Sequence, residues 1–100
     1  MKSSKKEILR EGVAIVRRTK VRKGKTIKDE ETQKKLKVRV FVTNPAEVEV
    51  RLGHKQGLPN YSSDNAEVTV RMPCYAEEIE TVMQETLDYV HEVLEEIVEE

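Results

Sequence analysis

The sequence predicts an α+β fold: a four-stranded antiparallel sheet with one long C-terminal helix packed on one of its faces. Three observations carry that prediction. Residues 36–43, 47–52 and 66–72 alternate apolar and polar side chains with period two, the pattern of a half-buried strand. Residues 76–98 repeat apolar side chains at three- and four-residue steps, the stripe of an amphipathic helix. Pro73 separates the two periodicities. At 100 residues the chain suits a single domain, 1–100, with one modest aliphatic core.

Ser4 and Glu7 have capping-box spacing and predict one or two helical turns over residues 5–10, ended by Gly12. Residues 13–22 are β-branched or basic and form the first strand. In the second strand Leu36, Val38, Val40 and Val42 are expected on the buried face, with Lys37, Arg39, Phe41 and Thr43 on the open one. The residues between, 23–33, are too charged to bury and read as a long polar tip, so residues 12–43 form a basic hairpin. Asn44, Pro45 and Ala46 suit a type I turn. Strands over 46–52 and 66–72 follow, joined by a loop over 53–65. Val48, Val50 and Leu52 of the one, and Ala66, Val68, Val70 and Met72 of the other, point inward. The helix over 76–98 carries Ile79, Val82, Met83, Leu87, Val90, Val93, Leu94, Ile97 and Val98, a stripe wider than one sheet needs. Val82, Val90, Val93 and Ile97 are therefore expected at the interface of a homodimer.

Charge is divided between the two halves. Residues 1–40 hold 15 of the 18 Lys/Arg and 5 acids, a net of +10, whereas residues 41–100 hold 3 bases and 14 acids, a net of −11. Folding does not require such segregation, and self-repulsion within each half opposes it. A basic end implies an anionic partner, most simply nucleic acid, and an acidic end implies a basic protein or an internal competitor for the same site. Arg17, Arg18, Lys20, Arg22, Lys23, Lys25, Lys37 and Arg39 beside Phe41 combine cations with an aromatic, as single-stranded DNA or RNA binding requires. The competing reading of Phe41 is a side chain covered by its neighbours or by a partner chain. On the third and fourth strands, Glu47, Glu49 and Glu67 stand among Arg51 and Arg71, where cross-strand ion pairs are the expected outcome. A second functional reading is an interaction module or inhibitor whose acidic helix engages a basic host protein.

Catalysis has little support, and no metal or cofactor is expected. His54 and His91 have no Cys or His at ligand spacing. The group Ser62, Ser63, Asp64 and His54 is explained by turn chemistry. The run Gly53-His54-Lys55-Gln56-Gly57 lacks phosphate-loop spacing. Cys74, the one cysteine, reads as a small buried hydrophobe. With no signal-peptide core and no stretch near the ~20 apolar residues of a membrane span, the expected location is the cytoplasm and no membrane partner is expected.

The order of four strands and then a helix, with a basic ribbon, resembles the single-stranded-DNA-binding architecture of the positive-cofactor, Whirly and Pur families. That resemblance implies dimers that hold unpaired strands on their sheets. It covers nearly the whole chain as topology. Separately, Asn60-Tyr61-Ser62-Ser63, then Val68-Thr69-Val70-Arg71-Met72-Pro73-Cys74 and the acidic run Glu77-Glu78-Ile79-Glu80, look like part of small phage- or mobile-element-encoded proteins without assigned activity. This second likeness, over residues 60–100, implies a viral source and no mechanism. The high Lys/Glu content is equally the mark of a thermophile.

Overall fold

The computed structural model describes residues 7–99, the side chains of Val98 and Glu99 excepted. Four strands, β1 (Ile8–Arg22), β2 (Lys25–Phe41), β3 (Ala46–Leu58) and β4 (Ser62–Cys74), precede a 3-10 turn (Ala76–Glu78) and the helix α1 (Ile79–Glu99). The strands form one antiparallel sheet in the order β2-β1-β4-β3, two hairpins laid side by side with β1 against β4. The α+β architecture expected from the two periodicities is the one observed, with α1 packed on β3 and β4.

The main core is small. Ala14, Val68, Val70 and Val90 are buried together, and Val16, Leu36, Val50, Leu52, Met72, Tyr89, Val93, Leu94 and Ile97 pack around them. Thr86 is the polar side chain on the buried side of the helix, and its hydroxyl donates back to the Val82 carbonyl at 2.6 Å. Even-numbered residues of β1, β3 and β4 face the helix, as the alternation of Val48, Val50, Leu52, Ala66, Val68, Val70 and Met72 anticipated.

β2 departs from the expected face. Glu11 pairs with Val38 but Val13 pairs with Lys35, so Leu36 and Lys37 together oppose Gly12. This β-bulge adds one residue to β2 and reverses its alternation beyond that point. Leu36 stays on the helix side, but Arg39 and Phe41 now join it there, and Val38, Val40 and Val42 are exposed instead. Gly12 is what makes room for the bulge. A Cβ at that position would collide with the Met72 sulfur and lie 3.2 Å from both the Arg71 carbonyl oxygen and the Leu36 Cβ.

Three further expectations are corrected. Residues 8–10 are extended in β1 rather than helical, while Ser4 and residues 5–6 of the expected capping box lie outside the described residues. The polar stretch 23–33 is strand except for a two-residue turn at Lys23 and Gly24, with φ of 51° and 76°, the pair of positive values that a tight hairpin demands. Residues 53–65 are likewise strand up to a short turn at residues 59–61. Both hairpins therefore run on past the core as polar ribbons. The molecule measures 71 × 22 × 17 Å and has a radius of gyration of 17.9 Å, against ~13 Å for a compact domain of this length.

Gly12→Ala is expected to lower stability by about 1–3 kcal/mol, because the new methyl group forces Met72 aside and presses on a backbone carbonyl that has no room to yield. Urea unfolding should show a lower midpoint at unchanged slope. An unchanged midpoint would mean that Met72 swings away freely and that the bulge does not need the glycine.

Candidate nucleic-acid interface

The nine residues expected to hold nucleic acid do not form one surface. Arg17 lies on the open face and donates from Nε and Nη2 to Asp29 at 3.3 Å. Arg18 and Lys20 point to the opposite face, where they line a cleft with His54, Asp64 and Ile97. Lys37 and Arg39 stand roughly 40–50 Å from the hairpin tip by strand rise, lining a cleft of about 450 Å³ with Val82, Thr86 and Tyr89.

Phe41 is fully buried, so the reading in which a base stacks on it is corrected in favour of the covered side chain. Its ring meets Tyr75 edge-on, with centroids 4.9 Å apart and an interplanar angle of 74°. The Arg39 guanidinium lies 4.9 Å from the Phe41 ring centre and 5.1 Å from that of Tyr75. Arg39 also grips Glu78 with both Nη atoms, at 2.9 and 3.2 Å. Glu78 accepts the Tyr75 backbone N–H at 2.9 Å, and the Tyr75 hydroxyl accepts the Val42 N–H at 3.0 Å. Arg39 and Phe41 thus tie β2 to the start of the helix. Cys74, also fully buried nearby, has its thiol pKa raised by desolvation and then by the Glu78 charge, which makes it inert.

What the fold does gather is a basic tip. The Gly24 N–H donates to the Tyr61 carbonyl at 2.9 Å, and the Lys23 N–H donates to the Ser62 hydroxyl at 3.1 Å, so the two hairpin turns are bonded to each other. Arg22 reinforces the junction, donating to Asp64 Oδ1 at 2.7 Å and to the Ser63 carbonyl at 3.3 Å. The Arg22 hydrogen bond, followed by the charges of Arg22, Lys20 and Arg18, holds the Asp64 carboxyl below the usual aspartate range. Lys20, Lys23 and Lys25 surround this junction. Among the described residues, the only acid within the ribbon ends 20–28 and 56–64 is Asp64, against Lys20, Arg22, Lys23, Lys25 and Lys28.

Tyr61, at this tip, is the residue sequence reasoning missed. It is 91 % exposed and has φ of 56°, next to Asn60 at 62°. Asparagine accepts the left-handed region readily; tyrosine does so at a cost of about 1–2 kcal/mol. The turn residues Pro59 and Asn60 were the available signal that the aromatic after them would project from a bend.

The open face is an ion-pair mosaic. Arg71 reaches Glu49 at 2.7 Å and Glu47 at 3.9 Å, and Arg51 reaches Glu67 at 3.9 Å. On the helix side Glu96 shares a cleft with Arg18, Lys28, Glu30 and Thr32, which sets one acid of the helix end across from the basic hairpin. The residues expected at a helical dimer interface are largely spent within the chain. Val90 is fully buried, Val93 and Ile97 pack on the chain's own core, and Val82 lines the cleft beside β2, so the expected interface is corrected at Val90 above all. His54 and His91 are both exposed, and no described helix is long and apolar enough to cross a membrane.

Hydrogen bonds from arginine hold Glu78, Glu49 and Asp64 below their ordinary carboxyl values. A carboxyl depressed in the folded state stabilises fully above its unfolded value, and that contribution is lost as the pH falls through the folded value. Stability should therefore decline as the pH drops below the ordinary carboxylate range. Arg39→Ala, by freeing Glu78, should make the urea midpoint fall less between pH 5 and 3 than it does in the parent chain. An identical acid limb in both proteins would uncouple Glu78 from Arg39. In the same assay Phe41→Ala should cost ~3–5 kcal/mol, the penalty of an emptied core site.

Compared with protein families, with curated proteins and with solved structures, the chain gives no match.

Proposed function

We propose that the chain binds single-stranded nucleic acid at the paired hairpin tips, with Lys20, Lys23 and Lys25 contacting phosphates and Tyr61 stacking on a base. Arg22 adds charge while bracing the two turns. The observation that carries this reading is Tyr61 itself. A large aromatic in a left-handed conformation adds backbone strain, and at 91 % exposure it returns almost no burial energy. Strain of that kind concentrates where a side chain must be presented to something else. Cations on a neighbouring turn supply the phosphate contacts that accompany base stacking.

The tip suits a single strand better than a duplex, because stacking needs an unpaired base and every base has a π-face. Sequence preference is correspondingly weak. The open face, by contrast, offers cations already matched to Glu47, Glu49 and Glu67, so the tip replaces the sheet surface as the site. Binding does not call on a catalytic group, a metal or a cofactor.

Titration with single- and double-stranded oligonucleotides at two salt concentrations tests the reading. Four phosphates neutralised at ~0.7 each give a log–log salt slope near −3 for single strands. Tyr61→Ala should weaken binding by ~1–3 kcal/mol. Tyr61→Gly should weaken it similarly while leaving stability unchanged or raised by up to ~1 kcal/mol, since glycine relieves the left-handed strain. Absence of single-strand binding at low salt, or a Tyr61→Ala variant that binds as well as its parent, would sink the proposal.

A further inference from the structure

We propose that the outer edge of β2 is a self-pairing surface, on which the β2 strand of a second copy docks antiparallel about a twofold axis at Thr32. β2 and β3 are the two edges of the sheet, and α1 packs chiefly on β3 and β4, meeting β2 mainly through Leu36 and the clefts beside it. The uncovered edge runs for 17 residues without a proline, and every side chain from Asp29 to Lys35 is exposed. Such an edge is a template for another strand unless its side chains forbid pairing.

On β2 the charges select a particular partner instead of excluding all of them. Three acids, Asp29, Glu30 and Glu31, are followed by three bases, Lys34, Lys35 and Lys37. A twofold axis between antiparallel strands stands perpendicular to the sheet, so residues directly opposite share a face. With the axis at Thr32, Asp29 falls opposite Lys35 of the second copy on the open face. Glu30 falls opposite Lys34 of the second copy on the helix face. Both pairs occur twice by symmetry, giving four cross-strand contacts of opposite charge. Within one chain Asp29 is bonded to Arg17, Glu30 to Lys28 and Lys35 only loosely to Glu11 at 3.8 Å, all as exposed pairs that a second cation or carboxylate can join.

Apolar surface continues along the same strand. Val38 and Val40 are 54 % and 47 % exposed and flank Leu9 at 61 %, all on the face that the bulge turned outward. In the proposed register Val38 of one copy lies level with Thr26 of the other, next to the exposed Ile27. The chain alone is also under-buried: it exposes 7588 Å², against about 5,800 Å² expected for a compact monomer of its mass. That excess is larger than the ~800 Å² each partner gives up in a standard interface.

Sedimentation and light scattering of the full chain at ~50 μM should give twice the 11.6 kDa chain mass. A variant with Asp29→Lys and Glu30→Lys, and a second with Lys34→Glu and Lys35→Glu, should each be monomeric. Mixed in equal amounts they should form a heterodimer, because every opposed pair is then again of opposite sign. Thr32→Cys, which sits opposite its own copy, should form an interchain disulfide under mild oxidation, whereas Lys25→Cys should not. Circular dichroism checks that each variant is folded, and Thr32→Cys tests the register without altering any charge. A monomeric parent chain, variants that remain dimeric, a mixture that fails to associate, or equal crosslinking at both cysteine positions would each overturn the proposal.

Discussion

The bulge opposite Gly12 is the constraint on which the rest of this fold depends. One extra residue in β2 decides which of two adjacent aromatic and aliphatic sets is buried. With the bulge, Phe41 enters a fully buried site under Arg39 and against Tyr75, and the Arg39 guanidinium meets Glu78 at the start of the helix. Without it, three valines would face the helix, and Arg39 and Phe41 would face water. The aromatic removes more apolar area from water than any one valine, and Arg39 gains a carboxylate that also satisfies the Tyr75 N–H. The position of the helix start is thus fixed by a register event some forty residues earlier in the chain.

Beyond the core the sheet has a different source of order. The outer halves of both hairpins are solvated on both faces, so apolar burial cannot hold them. Cross-strand charge pairs and the bonds joining the Lys23–Gly24 turn to Tyr61 and Ser62 hold them instead. Arg22 serves both hairpins through Asp64, which joins the two tips into one unit. A ribbon held in this way opens more easily than the core beneath the helix, and the tip is the element most ready to adapt to a ligand.

How much of this was legible follows from the same physics. β3, β4 and the helix were readable because each presents one face to a continuous core, so Val48, Val50, Leu52, Val68 and Val70 keep strict parity. β2 was readable as a strand but not as to its face. Val40, Phe41 and Val42 are consecutive apolar residues and fit either parity, and only the tertiary fit around Gly12 chooses between them. The polar ribbons escaped detection because a strand with no buried face need not alternate. Tyr61 escapes a reading by periodicity for a related reason: alternation points to the aromatic on a strand, Phe41, whereas the exposed one sits in a turn. Of the nine candidate binding residues, Lys20, Arg22, Lys23 and Lys25 do lie together, because they are neighbours in sequence at one hairpin tip, and Arg18 lines a cleft beside Lys20. Arg17, Lys37, Arg39 and Phe41 are dispersed by the pleat and by the bulge.

The division of charge along the sequence also has a different meaning in space. The basic hairpin is packed beside the acidic half, and Arg22–Asp64 at 2.7 Å and Arg39–Glu78 at 2.9 Å bridge the two directly. Part of the acidity of residues 41–100 is therefore the counter-charge of the hairpin, and Glu96 extends that relation into the cleft shared with Arg18 and Lys28. Neutralisation of this kind works only where the halves overlap. The helix reaches Ile97 at the level of Lys20 and Asp64, and the ribbons continue beyond it with Asp64 as their single acid. A net charge that is nearly balanced over the whole chain is thus left unbalanced at one end of a 71 Å rod. Under the proposed function, that field would steer an anionic strand toward the turn that carries Tyr61.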